Sequence, residues 1–147
     1  MRPMAPASDR GVMPTSTASP GRWPARVIII DDHEISRAAF IALLRAEGID
    51  VTAGLKTSGQ VITAARAHRP DVAIIDVTPA AGTGFAIADA LLALPAPPIV
   101  ILTSSIGRAH FGTQLTGRFI AKADICAAAI ASLATASKPG RPESLSR

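Results

Sequence analysis

The sequence is poor in the residues that usually mark a specialised scaffold. It has one cysteine, one tryptophan, no tyrosine and four phenylalanines in 147 residues. A lone Cys126 can neither close an intramolecular disulfide nor build a thiolate zinc site, which excludes a stapled secreted domain. No apolar run approaches the roughly 18 residues that a membrane helix needs. The opening MRPMAPASDRGVMPTS lacks the apolar centre of a secretory signal. No membrane association and a cytoplasmic location are therefore expected. Aromatics at 3% leave no set of stacking side chains for single-stranded nucleic acid.

The positive charge is also scarcer than the net value of +4 suggests, because it sits at the ends. Arg2, Arg10, Arg22 and Arg26 face one acid in the first 26 residues, and Lys138, Arg141 and Arg147 face Glu143 at the other end. Between them acids slightly outnumber bases. No basic stripe marks a folded face, so no specific nucleic-acid partner is expected.

What the chain does have is aliphatic bulk: 48% of it is hydrophobic, mostly Ala, Val, Ile and Leu, enough for a sizeable core. Residues 1–25 contain five of the twelve prolines and show no apolar period, and read as a disordered arm. Trp23 is either free there or packs the arm onto the domain. Residues 138–147 (KPGRPESLSR) read as a flexible tail, which leaves 26–137 as the folded unit.

Within that unit, strand-like and helix-like segments alternate. Val27–Asp31, Ile49–Gly54, Val72–Asp76, Ile99–Thr103 and Arg118–Ala121 are short and rich in β-branched residues. VIIID and VAIID are nearly continuous apolar runs, as in strands covered on both faces. Glu34–Glu47, Ser58–His68, Thr83–Leu94 and Asp124–Ala136 carry helical spacing, with Gly48 as a C-terminal cap and Ser58 and Asp124 as N-terminal caps. Gly107–Thr116, short and with glycines near both ends, is the weakest helix. Five β-α repeats with short loops imply an α/β three-layer sandwich of flavodoxin-like type. Its sheet is parallel, of five strands in the order 2-1-3-4-5, with five helices.

In such a sheet the ligand site lies beyond the carboxyl ends of the strands. Strand one ends in Asp31-Asp32, strand three in Asp76, strand four in Thr103-Ser104, and strand five runs into Lys122. Three gathered carboxylates repel one another, and a hard divalent cation, Mg2+ in particular, relieves that repulsion. With a lysine and a hydroxyl alongside, the pocket suits a metal-held phosphoryl group, with Asp76 as the nucleophile.

VIIIDDHE, VAIIDVTPAAGTGF, IVILTSS and RFIAKADI, taken in that order, resemble the receiver domain of two-component response regulators. The resemblance runs from about Arg26 to Ala136, with Asp32 and Asp76 44 residues apart and Gly84 eight residues after Asp76. It implies that Asp76 is the phosphoacceptor, and that Mg2+ is held by Asp31, Asp32, Asp76 and the backbone carbonyl of Thr78. It further implies that Thr103 and Lys122 act on the phosphoryl group, and that Thr103 and Phe119 form the switch. The implied partners are a histidine kinase or histidine phosphotransfer protein and a downstream protein. The tail is too short for a helix-turn-helix, so output is expected through protein–protein contact and no enzymatic activity is expected.

Several features depart from the pattern. Pro79 falls one position early, Ala123 stands where a proline is common after the lysine, and Thr103 to Lys122 is only 19 residues. The shortfall points to helix four, part of the family's output face. It motivates an alternative, a phosphorylation-independent pseudo-receiver that acts as a docking module. A phosphohydrolase would want a second Asp at position 78, where Thr78 stands. His33 reads as exposed and not a ligand, and Cys126 as a core residue beside Ile130 and Leu133.

Overall fold

The computed structural model describes residues 26–56, 58–78, 81–115 and 117–135. The expected arm with Trp23, the tail, Pro79 and Thr116 lie outside these residues. Strands β1 (Arg26–Ile30), β2 (Asp50–Leu55), β3 (Val72–Asp76), β4 (Ile99–Ser104) and β5 (Arg118–Ala121) form one sheet in the order β2-β1-β3-β4-β5. Every described pairing is parallel. This is the flavodoxin-like arrangement expected from the alternating pattern.

The continuous apolar runs are explained by two cores, one on each face. Side chains alternate across a strand. Ile28, Ile30, Ala73, Ile75, Val100 and Leu102 enter one core. Val27, Ile29, Val72, Ile74 and Ile101 enter the other. The first core is closed by α2 (Val61–His68) and α3 (Thr83–Leu92) through Val61, Ala65, Ile87 and Leu91. The second is closed by α1 (Glu34–Ala46) and α4 (Ala127–Thr135) through Leu44, Phe40 and Ile130. Fully burying each such aliphatic side chain is worth about 1.5–3 kcal/mol. The crossovers that cover both faces therefore also hold the strand ends in line.

The ends of the helices show where sequence reading and structure part. Gly48 does follow α1 in the left-handed region, at φ 89°, and its N–H donates to Arg45 O at 3.0 Å. Ser58–Gln60 forms a 3₁₀ turn that leads into α2, which begins at Val61. Asp124 is not the cap of the last helix. Lys122–Asp124 is a 3₁₀ turn, the chain extends through buried Ile125, and α4 starts at Ala127. Its first N–H groups instead find Glu47 Oε1, 2.6 Å from Ala127 N, and Cys126 Sγ, 3.4 Å from Ala129 N. Cys126 is thus a half-buried end residue, not one of the buried core side chains. The weak fourth segment is helical but of 3₁₀ type over Arg108–Gln114, interrupted at Gly112 (φ 58°, ψ −124°). With few residues available between β4 and β5, the chain takes the tighter helix.

Candidate functional site

Asp31 is the anchor of the site. It follows the last residue of β1 and is 2% exposed. Its Oδ1 accepts the His33 N–H at 2.9 Å and its Oδ2 accepts the Ser36 hydroxyl at 2.8 Å. Its backbone carbonyl accepts Arg37 Nη1 at 2.7 Å. The first turn of α1 therefore clamps the carboxylate in place, and its charge is met by hydrogen bonds, as burial requires. Asp32, one residue on, turns outward into solvent.

Asp76 ends β3, with its side chain mostly buried. Lys122, at the start of the turn after β5, reaches back across the sheet edge. Its Nζ lies 3.1 Å from Asp31 Oδ2 and 3.1 Å from Asp76 Oδ1. The ammonium also sits 5.6 Å from the centre of the Phe40 ring, on α1. Burial pushes the Asp76 carboxyl above the usual carboxylate range; Lys122 opposes this only in part, and Asp31 and Asp32 add to it. Burial alone would lower Lys122, but its hydrogen bonds to Asp76 and Asp31 prevail and hold it above the ordinary lysine value.

Thr103 is the register partner of Asp76 across β3 and β4. It is 2% exposed, and its Oγ1 has no hydrogen-bond partner among the described residues. A buried hydroxyl without a partner costs free energy, on the order of 1–3 kcal/mol. Ile29, Ile74, Phe40 and Ile125 line the same recess as Asp31, Asp76 and Thr103. The neighbouring Ser104 hydroxyl is occupied locally, accepting the Ile106 N–H at 3.1 Å.

Gly84 explains its own spacing. A Cβ there would lie 2.7 Å from the Asp76 carbonyl oxygen and 2.7 Å from Val77 Cγ1. Only glycine lets the first turn of α3 pack this closely on the strand end that carries Asp76. Val77 N in turn donates to Thr103 O at 2.8 Å, which ties the residue after the acid to β4. Thr78 is half-buried, at the last described position before the loop.

The donor atoms of Asp31, Asp32, His33 and Asp76 lie within 4.8 Å of one another. Three of these four residues offer carboxylate oxygens, the hard ligands that Mg2+ prefers, and the pocket also contains an unpartnered hydroxyl. The donor set fits the ion. Among the expected residues, the structure brings Asp31, Asp32, Asp76, Thr103 and Lys122 to one edge. Phe119 lies back along β5 as the register partner of Leu102, half-buried, its ring 6.0 Å from Phe111 and 5.1 Å from the Arg108 guanidinium. The roles of Ser36, Arg37 and Phe40 were not legible in the sequence. Ser36 and Arg37 could have been suspected from their place in the first turn after the acidic pair.

Comparison with known proteins agrees with this geometry. The family model for the response regulator receiver domain matches residues 27–117. The transcriptional regulatory protein PdtaR of Mycobacterium tuberculosis is 30% identical over 81 residues, 55% of this chain and 40% of that protein. The DNA-binding transcriptional activator DevR/DosR of the same organism is 35% identical over 81 residues, 54% of this chain and 37% of that protein. The chain thus matches well under half the length of these regulators. The receiver domain of the response regulator NarL from M. tuberculosis superposes with a TM-score of 0.61 at 24% identity, covering 76% of this chain and 97% of that one. The regulator PhyR from Brucella abortus gives 0.60 at 17% identity, covering 76% of this chain and 47% of that one, and at such identities the likeness is one of fold. The fold and acidic edge define an α/β domain with carboxylates gathered at the carboxyl ends of its strands. The chain belongs to the response regulator receiver domain family.

Proposed function

We propose that the chain is a phosphorelay switch. A histidine kinase or histidine phosphotransfer protein delivers a phosphoryl group to Asp76 in the cytoplasm, and the modified domain presents an altered surface to a downstream protein. The observation that carries this reading is the bridge from Lys122 Nζ to both Asp31 and Asp76, beside the unpartnered Thr103 hydroxyl. An Asp76 carboxylate oxygen attacks phosphorus in line. The P–N bond to the donor imidazole breaks as the new P–O bond forms, and the imidazole leaves as a neutral ring once protonated.

Asp31, Asp32, Asp76 and the Thr78 carbonyl are the groups that would hold Mg2+, which when bound neutralises charge on the phosphoryl oxygens. Lys122 is already placed to pair with the phosphoryl oxygens as its contact with Asp76 is exchanged. The Thr103 hydroxyl has no acceptor among the described residues, and phosphoryl oxygens would supply one. Phe119, packed between Phe111 and Arg108, is the residue whose rearrangement would carry the change outward.

The 3₁₀ form of the segment between β4 and β5 favours a second reading, a docking module indifferent to phosphate, because the family's output face would include the helix that stands at this place. One experiment separates the two. The protein is incubated with Mg2+ and acetyl phosphate and its intact mass is measured. The switch predicts gain of one phosphoryl group, abolished by chelator and by Asp76→Asn. A docking module predicts no gain under conditions that label a control receiver.

A further inference from the structure

We propose that His33 supplies a nitrogen ligand to the acidic pocket and shifts its preference toward a borderline divalent cation that accepts imidazole, such as Co2+ or Ni2+, relative to Mg2+. The inference rests on the reading of the pocket as a cation site. His33 Nδ1 lies 3.4 Å from Asp32 Oδ1 and 3.8 Å from Asp31 Oδ1. Ligands that share one ion at about 2.0–2.2 Å are at most roughly 4.4 Å apart and less when adjacent. The four donor atoms span 4.8 Å, so adjustments of a few tenths of an ångström would close them on a common centre.

The parts of His33 are suited to this in different ways. Its backbone is pinned, since its N–H donates to Asp31 Oδ1, so the ring hangs at a fixed place beside the carboxylates. The ring itself is 73% exposed and can turn without disturbing the core. The pocket is also a built one: Thr103 is more than nine-tenths buried and lines the recess shared with Asp31 and Asp76, yet its hydroxyl has no partner among the described residues. A hard ion gains little from imidazole, whereas first-row transition ions gain much, so one nitrogen changes the ranking of ions more than the existence of the site. The competing account is a surface hydrogen bond between His33 and Asp32 with no ion involved.

The two accounts separate by calorimetric titration of the full chain with MgCl2 alone and with CoCl2 alone. The proteins are wild type, His33→Ala and Asp32→Asn. Most N/O sites favour Co2+ over Mg2+, so the readout is the ratio of the two affinities. We expect His33→Ala to lower the Co2+/Mg2+ ratio on the order of tenfold or more. Co2+ should also displace the His33 imidazole proton resonances in wild type. If Asp32→Asn weakens both ions while His33→Ala leaves the ratio within about twofold, the nitrogen ligand is refuted and the cation pocket survives. If wild type takes up neither ion, or Asp32→Asn changes neither, the cation pocket itself is refuted and the ligand with it.

Discussion

Asp76 and Thr103 face each other as register partners at the carboxyl ends of β3 and β4, one a carboxyl whose pKa burial raises and the other a buried hydroxyl without a partner among the described residues. On the proposed function, a phosphoryl group on Asp76 would give the Thr103 hydroxyl an acceptor and so offset part of the cost of burying it.

Thr103→Val tests the hydroxyl. Valine keeps the shape and removes the unsatisfied oxygen. Stability measured by urea unfolding should stay level or rise by up to about 1 kcal/mol. A loss above about 1 kcal/mol would show that the hydroxyl already has a strong partner.

Gly84→Ala tests the packing of α3 on the acceptor strand. The added methyl meets the backbone carbonyl of Asp76 and Val77 Cγ1. Overpacking of this kind should destabilise by about 1–3 kcal/mol in the same assay, and labelling of Asp76 should slow as its backbone is displaced. An unchanged midpoint would mean that the helix end yields freely.

The pH dependence has a definite sign. The folded-state pKa of Asp76 is raised, so the folded state holds more protons than the unfolded chain as pH climbs from 3.8 through the folded value, and stability falls over that window. Asp76→Asn removes this fall, and its stability relative to wild type should improve as pH rises from 3.8 through the raised folded value. Lys122 has a raised folded value, so its contribution is complete below 10.5 and is lost as pH rises through that folded value. Lys122→Met should therefore flatten the alkaline limb of the wild-type curve. Parallel curves for wild type and variant in either limb would contradict the assignment.

Glu47→Ala tests a long-range cap. The carboxylate after α1 accepts the first N–H of α4, 80 residues away. Its loss should cost about 0.5–2 kcal/mol and raise amide exchange in the first turn of α4 first. Uniform exchange along α4 would argue that the contact carries no weight.

Much of this site was legible because strand ends are. VIIID and VAIID are strands covered on both faces, and a parallel sheet puts the carboxyl ends of all five strands at one edge. Once order and direction were known, Asp31, Asp76, Thr103 and Lys122 had to be neighbours. What could not be read depends on tertiary partners. Asp124 looked like a cap, yet Glu47 and Cys126 meet the N–H groups of α4, a choice set by how the end of α1 meets the last helix. The segment between β4 and β5 had glycines and little length, but only the sheet could fix it as 3₁₀ with Gly112 at positive φ. His33 looked like a solvated loop residue. Its ring is exposed, and only the Asp31 turn brings it within reach of two carboxylates.

The central claim is that Asp76, among three neighbouring aspartates, is the one that accepts phosphate. Protein labelled with acetyl phosphate in Mg2+ is reduced with borohydride, which converts a phosphoaspartyl residue to homoserine, and the peptides are sequenced by mass spectrometry. The account predicts homoserine at position 76 and intact aspartate at positions 31 and 32. Homoserine at 31 or 32 with none at 76 would contradict it.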